Sequence, residues 1–467
     1  MGGLFGVVSK IDCVSDLFFG TDYHSHLGTK RGGLAVKNTE GISRFIHNIE
    51  NAQFRSKFED DISKLNGTQG IGIISDFEDQ PVLIRSHLGY YAIVTVSVIQ
   101  NSEILAKKLF GHKATHFAEM SGGEINPTEL VASLINQEMT IEDGIQNALD
   151  AIEGSCSLLL LTDAGIYAAR DKYGRTPVVI GKKANGYAAT SETCAFPNLD
   201  FEVMRDLGPG EIVLLTEDGI EQKKAPGEKM QICAFLWVYY GFPASSYEDI
   251  NVESVRNRCG AFLAKREDRE IDLVAGIPDS GTGHGLGYAS EARIPFKRPF
   301  VKYTPTWPRS FMPQNQDIRD LVAKMKLIPI QDLIKNERLL FCEDSIVRGT
   351  QLQDTIQRLY ESGAREVHMR PACPPLVYGC KFLNFSRSRS ELDLAGRKAI
   401  YELEGEKGDP ASYSNPDSEK YKEMITQIRD RLKLTSLRYQ RLSDLVQAIG
   451  LPKEKLCTYC WDGVEVK

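Results

Sequence analysis

Residues 339–350 combine an apolar strand, two acids and a glycine-containing loop, a pattern that suits a sugar phosphate. Leu339–Cys342 predicts a buried strand, and the acids Glu343 and Asp344 follow it directly. The next residues open a segment with apolar residues at helical spacing, and they are Ser345, Ile346, Val347, Arg348, Gly349 and Thr350. Backbone N–H groups and the dipole at a helix N-terminus favour a phosphate there. Carboxylates suit hydroxyls and a hard cation, so the pattern indicates a phosphorylated ribose with Mg²⁺. The alternative is an ordinary strand-to-helix crossover with a polar loop.

The same residues resemble the phosphoribosylpyrophosphate (PRPP) loop of type I phosphoribosyltransferases. The run Asp344–Thr350 is similar in particular to the loop of glutamine PRPP amidotransferases. The usual acidic pair of that family is Asp-Asp, so Glu343 is a departure that keeps the charge. Upstream, a strand predicted over Ile271–Ala275 precedes a segment that resembles the pyrophosphate loop of the family, with Asp279, Ser280 and Gly281. A structural Gly-rich turn is the alternative for that segment.

The resemblance implies a role for each of these residues. Ribose hydroxyls and Mg²⁺ are assigned to Glu343 and Asp344, the 5-phosphate to Ser345–Thr350, and pyrophosphate with metal to Asp279–Gly281, with Ser280 among the Mg²⁺ ligands. Arg309 is expected to be catalytic with the two acids, because it lies in the segment that resembles the mobile catalytic loop of the family. The stretch 302–309 reads KYTPTWPR, which is less polar than in the family, so we expect a different closure over the substrate.

The cysteines give a second signal. The chain has ten, without a secretory signal peptide or an apolar run long enough to span a membrane, which predicts a reducing, cytoplasmic location. By itself, the C-x-x-C of Cys457 and Cys460 is compatible with a zinc half-site, a redox pair or neither. The resemblance implies that four cysteines occupy the positions at which iron-sulfur members of the family ligate a [4Fe-4S] cluster: Cys233, Cys380, Cys457 and Cys460. Structural Zn²⁺ with the same ligands is the alternative. We predict that the other six cysteines are buried small hydrophobes.

Length and composition bound the architecture. A chain of 467 residues suggests two domains, which we divide into 1–230 and 231–467, the second ending in a helical segment and the C-x-x-C. With 56 basic and 63 acidic residues the net charge is −7, so no basic footprint for nucleic acid is present. The polar, Pro/Gly/Ser-rich stretch 404–421 predicts an exposed loop. By resemblance we expect an α+β sandwich of the N-terminal-nucleophile hydrolase type, followed by an α/β domain of the type I phosphoribosyltransferase class, in a homo-oligomer, dimer or tetramer.

The first domain resembles the type 2 glutaminase of the family in its framework but not in its chemistry. Arg170–Gly174, Ser191–Thr193 and Pro209–Glu211 match the family. Glutaminases of this class need an N-terminal cysteine whose free α-amine acts as base. Four functional features of the family are lost, at five positions. Gly2 replaces the nucleophile, and Ile73 lies where a substrate-binding Arg is expected. Val96 and Ser97 replace the Asn-Gly pair of the oxyanion hole, and Pro127 replaces the acid that binds the amine of glutamine. The domain is therefore predicted to lack glutaminase activity.

These expectations lead to three hypotheses on function. The first is an amidophosphoribosyltransferase that joins PRPP and ammonia in the first step of purine biosynthesis, with ammonia that is free or supplied by a separate glutaminase. The second is a non-catalytic PRPP- or nucleotide-sensing partner of a full amidotransferase. The third is a phosphoribosyltransferase that uses another amine. The intact acidic pair favours an enzyme, since a sensor has little need of a metal-positioning site.

Overall fold

A computed structural model describes residues 2–111, 117, 120–121, 124–302, 327–383 and 390–465. Its first half contains two antiparallel sheets. The seven-stranded sheet has the order Glu202–Asp206, Val179–Lys183, Gly186–Thr190, Gly3–Ser9, Gln69–Ser75, Arg31–Asn38 and Gly41–Asn48. The six-stranded sheet has the order Ile220–Lys224, Ile212–Leu215, Ile166–Ala169, Gly154–Leu161, Gly89–Ile99 and Val82–Ser86.

The strand Gly3–Ser9 shows how the sandwich is layered, because every one of its residues is buried. Leu4 and Val8 pack into the core between the two sheets, whereas Phe5 and Val7 pack against helices on the outer face. This alternation follows from the two-residue period of a strand. The outer helices are Val14–Asp22 and Phe54–Ile62 on this sheet, and Ser102–Gly111, Pro127–Ile135 and Ile141–Ala151 on the other.

The second half is built on a parallel sheet with the strand order Leu273–Gly276, Arg338–Glu343, Glu366–Pro371 and Ser436–Leu437. Leu340 and Cys342 pack on one face of the sheet, and Leu339 and Phe341 pack on the other. The helices are Val252–Ala264, Gly281–Ala292, Thr350–Glu361, Ala395–Glu404, Glu419–Leu432, Leu442–Ile449 and Tyr459–Asp462, with a π-helical turn at Leu236–Tyr240. Short strand pairs in this half join Ile232–Cys233 to Leu456–Cys457, Ser246–Tyr247 to Ile250–Asn251, and Phe300–Lys302 to Leu327–Pro329. The first half has a similar short pair, Met120–Ser121 with Glu124–Ile125.

The architecture confirms the predicted fold class, a two-sheet sandwich followed by a parallel sheet covered by helices on both faces. The predicted strand at Leu339–Cys342 is extended by one residue at each end. The expectation of an exposed loop at 404–421 is wrong in part. Gly405–Lys407 and Pro410–Tyr413 form 3₁₀ turns, and the helix Glu419–Leu432 begins within the stretch. Tyr413 is buried in the core of the second half. The division near residue 230 stays a prediction.

Buried polar contacts join the two halves. Arg170, which is fully buried, donates from Nη1 to Glu248 Oε1 at 2.7 Å. The buried carboxylate of Glu192 accepts from the hydroxyls of Ser245 and Tyr247, the latter at 2.7 Å. Burial alone raises the pKa of Glu192, but hydrogen bonds from His26 and these hydroxyls outweigh it and lower that pKa below its usual value. No helix in the described ranges is long and apolar enough to cross a membrane.

Candidate functional site

Two loops predicted to bind PRPP meet at one edge of the parallel sheet. The strands that precede them pair in parallel, with Gly276 opposite Cys342, so both loops leave the sheet at its carboxyl edge. Ser280 Oγ, from the first loop, donates to Asp344 Oδ2, in the second, at 2.5 Å. Ser345 Oγ donates to the other oxygen of Asp344 at 2.5 Å. The structure therefore brings Ser280, Asp344 and Ser345 together, as the roles assigned from the resemblance require.

Glycines allow this close approach. A Cβ at Gly281 would lie 2.4 Å from the carbonyl oxygen of Cys342, so a side chain there would separate the two loops. The later glycines of the run have another cause. A Cβ at Gly287 would lie 2.0 Å from the carbonyl oxygen of Asn257, in the neighbouring helix Val252–Ala264. Some glycines of this segment are therefore required by helix packing, and not by the pyrophosphate loop that the segment resembles.

The acidic pair is suited to a cation. Asp344 is 5% exposed, and its backbone N–H donates to Glu343 Oε1 at 3.1 Å. Burial, and next the charge of Asp344, raise the pKa of Glu343 well above its ordinary value. Two neighbouring carboxylates in one low-dielectric site repel each other, and a divalent cation relieves that repulsion.

Two basic residues near the acids were missed by sequence reasoning. Lys302 Nζ pairs with Asp279 Oδ2 at 2.5 Å. The guanidinium of Arg256 is buried and donates to backbone carbonyls of the π-helical region, including that of Trp237 at 3.1 Å. Burial lowers the pKa of Arg256, while the charge of Asp344 opposes this shift. Arg256 lies in no recognisable motif. Lys302 begins the stretch 302–309, but nothing in that stretch indicates its partner Asp279. Only the packing of distant segments reveals these contacts.

The loop after the acids ends at a helix N-terminus. Gly349 has φ 80° and immediately precedes the helix Thr350–Glu361, whose first N–H groups have no partner within the helix. Ile346 is 3% exposed and packs in the core, so only its backbone can face a ligand. The carbonyl of Val347 accepts from Ala395 N at 2.7 Å, which fixes the loop, and Arg348 is exposed. Arg309 and the segment that resembles the catalytic loop lie outside the described residues.

The four cysteines predicted to hold a metal site line one cavity. Cys233 and Cys457 are opposite each other in a short parallel strand pair. The backbone N–H of Leu383 donates to Cys380 Sγ at 3.3 Å, and the carbonyl of Cys460 accepts from Val377 N. Residues separated by more than two hundred positions are thus brought together. The remaining six cysteines are all buried, as predicted.

The thiols in this cavity have raised pKa values, because they are buried and lie close to one another. Burial, and then the neighbouring Cys457 and Cys380, raise the pKa of Cys233. A hydrogen bond with Cys380 and burial raise that of Cys460. Such mutual repulsion favours a bound cationic group that accepts thiolates. In the described ranges, no group of three or more His, Cys, Asp or Glu side chains is arranged around one metal ion.

A second cavity contains several of the positions at which this chain departs from the glutaminases of the family. Gly2, Val96 and Ser97 line it. Ile73 instead packs in the core between the two sheets, and Pro127 is the first residue of the helix Pro127–Ile135. The structure therefore gathers three of the five positions that depart from the family.

Two backbone features at these positions bear on the predicted lack of glutaminase activity. A Cβ at Gly2 would lie 2.5 Å from the carbonyl oxygen of Ile74, which leaves no room for a side chain. Val96 and Ser97 continue a regular strand and pair with Ser157 and Cys156. Successive N–H groups of a strand point in opposite directions, so this backbone cannot aim two neighbouring N–H groups at one oxygen.

Glu78 is a buried acid in this cavity that sequence reasoning missed. It is 6% exposed and accepts from Gln80 Nε2 at 2.9 Å and Ser75 Oγ at 3.2 Å. Burial raises its pKa. In the sequence, DFEDQP has the composition of an exposed acidic turn, so nothing there indicates a buried carboxyl.

Comparisons with known proteins agree with this geometry. A family described as "Glutamine amidotransferase domain" matches residues 68–198. An amidophosphoribosyltransferase of Archaeoglobus fulgidus is 30% identical over 329 residues, which are 69% of this chain and 70% of the relative. That of Methanocaldococcus jannaschii is 28% identical and covers 99% of this chain and 97% of its own. The structure of glutamine PRPP amidotransferase from B. subtilis, complexed with ADP and GMP, superposes with a TM-score of 0.85 at 25% identity, covering 99% of this chain and 96% of its own. The chain belongs to the amidophosphoribosyltransferase family.

Proposed function

We propose that this chain is an amidophosphoribosyltransferase of purine biosynthesis that binds PRPP with Mg²⁺ and transfers the phosphoribosyl group to ammonia without a glutaminase of its own. The observation that carries the proposal is the 2.5 Å hydrogen bond between Ser280 and Asp344. It joins the loop assigned to pyrophosphate to the loop assigned to the ribose and its phosphate. The two ends of one PRPP molecule would therefore bind across this contact.

The roles of the residues follow from their chemistry. N–H groups of the loop from Ser345 to Thr350 would bind the 5-phosphate at the helix N-terminus. Glu343 and Asp344 would bind ribose hydroxyls, and with Ser280 they would hold Mg²⁺, which neutralises charge on the leaving pyrophosphate. Asp279 and Gly281 would position that pyrophosphate. Ammonia would attack C1 as the bond to pyrophosphate breaks, giving 5-phosphoribosylamine with inversion, and no protein nucleophile is needed.

The absence of glutaminase activity is proposed from the cavity that Gly2, Val96 and Ser97 line. Position 2 has no side chain and no space for one, and Val96 and Ser97 lie in a regular strand. Losing one oxyanion donor typically costs about 2.7–4 kcal/mol of transition-state stabilisation. Ammonia would then come from solution or from a separate glutaminase partner.

A [4Fe-4S] cluster is the group that we propose for the cysteine cavity. Cys233, Cys380, Cys457 and Cys460 border one space. A single Zn²⁺ needs all its sulfurs about 2.3 Å from one point, whereas a cluster binds each thiolate to a different iron and spans a larger space. The arrangement of four thiols around a cavity, rather than around a point, favours the cluster.

Pyrophosphate release from PRPP and Mg²⁺ tests the proposal, with ammonium, glutamine or no amine added in turn. We expect release with ammonium alone. Asp344→Asn, which removes a charge at constant size, should weaken turnover strongly, whereas Asp354→Asn on the exposed face of the following helix should not. Release with glutamine at the ammonium rate would contradict the glutaminase claim. PRPP binding without release under any condition would support the sensing role instead, and release only with another amine would support the third hypothesis.

A further inference from the structure

Arg175 is a buried cation from the first half of the chain that lines the cysteine cavity. It is 4% exposed, and its backbone carbonyl accepts from Cys233 N at 3.2 Å. Its backbone N–H donates to Asp171 Oδ1 at 2.8 Å, which anchors it to the sandwich. The residue therefore links the first half to a site whose four cysteines all belong to the second half.

The guanidinium of Arg175 packs against two aromatic rings, and one of its N–H groups makes no hydrogen bond within the described part of the chain. The guanidinium lies 3.8 Å from the ring centroid of Phe382 and 4.7 Å from that of Tyr173. Nη1 donates to the carbonyl of Gly154 at 3.1 Å. Nε is buried and has no hydrogen-bond partner in the part of the chain that the structure describes. A buried guanidinium donor without a partner is costly, so its position calls for an acceptor.

A cluster bound in the cavity would provide sulfur acceptors for this N–H group, and the guanidinium would balance part of its negative charge. Besides the cysteines and Arg175, the described lining residues are apolar or aromatic: Phe235, Phe382, Leu383 and Trp461. Four thiolates and an iron-sulfur core together carry a net negative charge that grows on reduction, in surroundings that solvate charge poorly.

We propose that Arg175 is a positioning residue for the metal centre: it supplies the counter-charge and a hydrogen bond to the cluster from the first half of the chain. This inference rests on the proposed [4Fe-4S] cluster. A cationic donor at the cluster stabilises the reduced, more negative state and so raises the reduction potential. The sandwich thereby contributes to the metal site although it supplies no ligand.

The test compares Arg175→Met, Arg175→Lys and the control Lys172→Met in the full chain. Lys172 lies on the same turn, but its side chain is 41% exposed, and it pairs with Asp150 outside the cavity. The readouts are iron and sulfide content and the midpoint potential of the anaerobic protein. We expect Arg175→Met to lower the equilibrium constant for reduction at least about tenfold, which is about 59 mV for one electron. Arg175→Lys should restore most of the loss, and Lys172→Met should change nothing.

Each outcome decides the question. If Arg175→Met retains the cluster with an unchanged potential, the inference is wrong. If Arg175→Met fails to assemble the cluster while Arg175→Lys assembles it, the charge requirement is supported. If both variants lose the cluster, the arginine acts through its shape, and the counter-charge role is overturned. Unmutated anaerobic protein without iron and sulfide would refute the proposed cluster itself, which separates that failure from a failure of the inference.

Discussion

Replacing Gly349 tests the proposed phosphate loop most directly. Gly349 has φ 80°, a left-handed conformation that costs a residue with a Cβ about 1–2 kcal/mol, and more for a β-branched one. In Gly349→Val the backbone should leave this conformation and withdraw at least one N–H group from the phosphate. A hydrogen bond to a charged group contributes about 1.5–3 kcal/mol, so the loss of one should weaken PRPP binding about 10- to 150-fold.

Gly363 provides a matched control at the other end of the same helix. Its φ is 92°, and a Cβ there would lie 3.4 Å from Cγ of Lys335, in a flexible side chain. Gly363→Val should therefore lower thermal stability about as much as Gly349→Val but leave ligand affinity unchanged. Calorimetric titration with PRPP and Mg²⁺, and with ribose 5-phosphate, measures the affinities, and thermal unfolding measures the stabilities. Unchanged affinity in Gly349→Val, or an equal loss in Gly363→Val, would refute the reasoning.

Three further predictions concern the rest of the chain. Gly2→Cys, with Met1 removed, should release no glutamate from glutamine above a blank, because the side chain meets the Ile74 carbonyl and the oxyanion donors are missing; measurable glutaminase activity would count against this account. Burial raises the pKa of Glu267, but hydrogen bonds and charge from Arg370 outweigh it and hold that pKa at about 2. Because the folded-state pKa is depressed, this stabilisation is present above about pH 4.5 and is lost as the pH falls towards 2. Glu267→Gln should lower the free energy of unfolding at pH 7 by at most about 3 kcal/mol, and an equal difference at pH 2.5 in denaturant titrations would contradict the assignment. Anaerobically purified protein should be brown, and removal of iron by a chelator after oxidation should release sulfide and lower the melting temperature; a colourless protein with one zinc per chain would exclude the cluster.

The sequence predicted the elements that have one strong local cause. Leu339–Cys342 is apolar on both faces, and a parallel sheet covered by helices on both sides buries it on both, so composition alone sufficed. The strand expected over Ile271–Ala275 is observed at Leu273–Gly276. It begins later because Asp272, which precedes it, binds the backbone and side chain of Arg338 through its carboxylate.

The features that could not be predicted from the sequence depend on contacts between segments that are distant along the chain. Glu78 lies in a polar turn whose composition predicts exposure, and only the packing of the sandwich buries it. Tyr413 lies in a stretch rich in Pro, Gly and Ser, yet the helices on either side of it close over the ring. Arg175 follows a turn that matches the family framework, but its position in the cysteine cavity requires the second half to pack on the first. Burial, which gives each of these side chains its chemistry, is not a local property.

These contacts show how a first half without glutaminase chemistry, as we propose, can keep its fold. Gly2, Val96 and Ser97 line a cavity, so substitutions at these three positions leave few protein groups without partners. Arg170, Glu192 and Arg175 instead extend from the first half into buried contacts with the second. Breaking a buried charged pair typically costs about 3–5 kcal/mol, a large share of the stability of a domain. The sandwich therefore acts as a structural part of the phosphoribosyltransferase half, whether or not glutamine is ever hydrolysed in it.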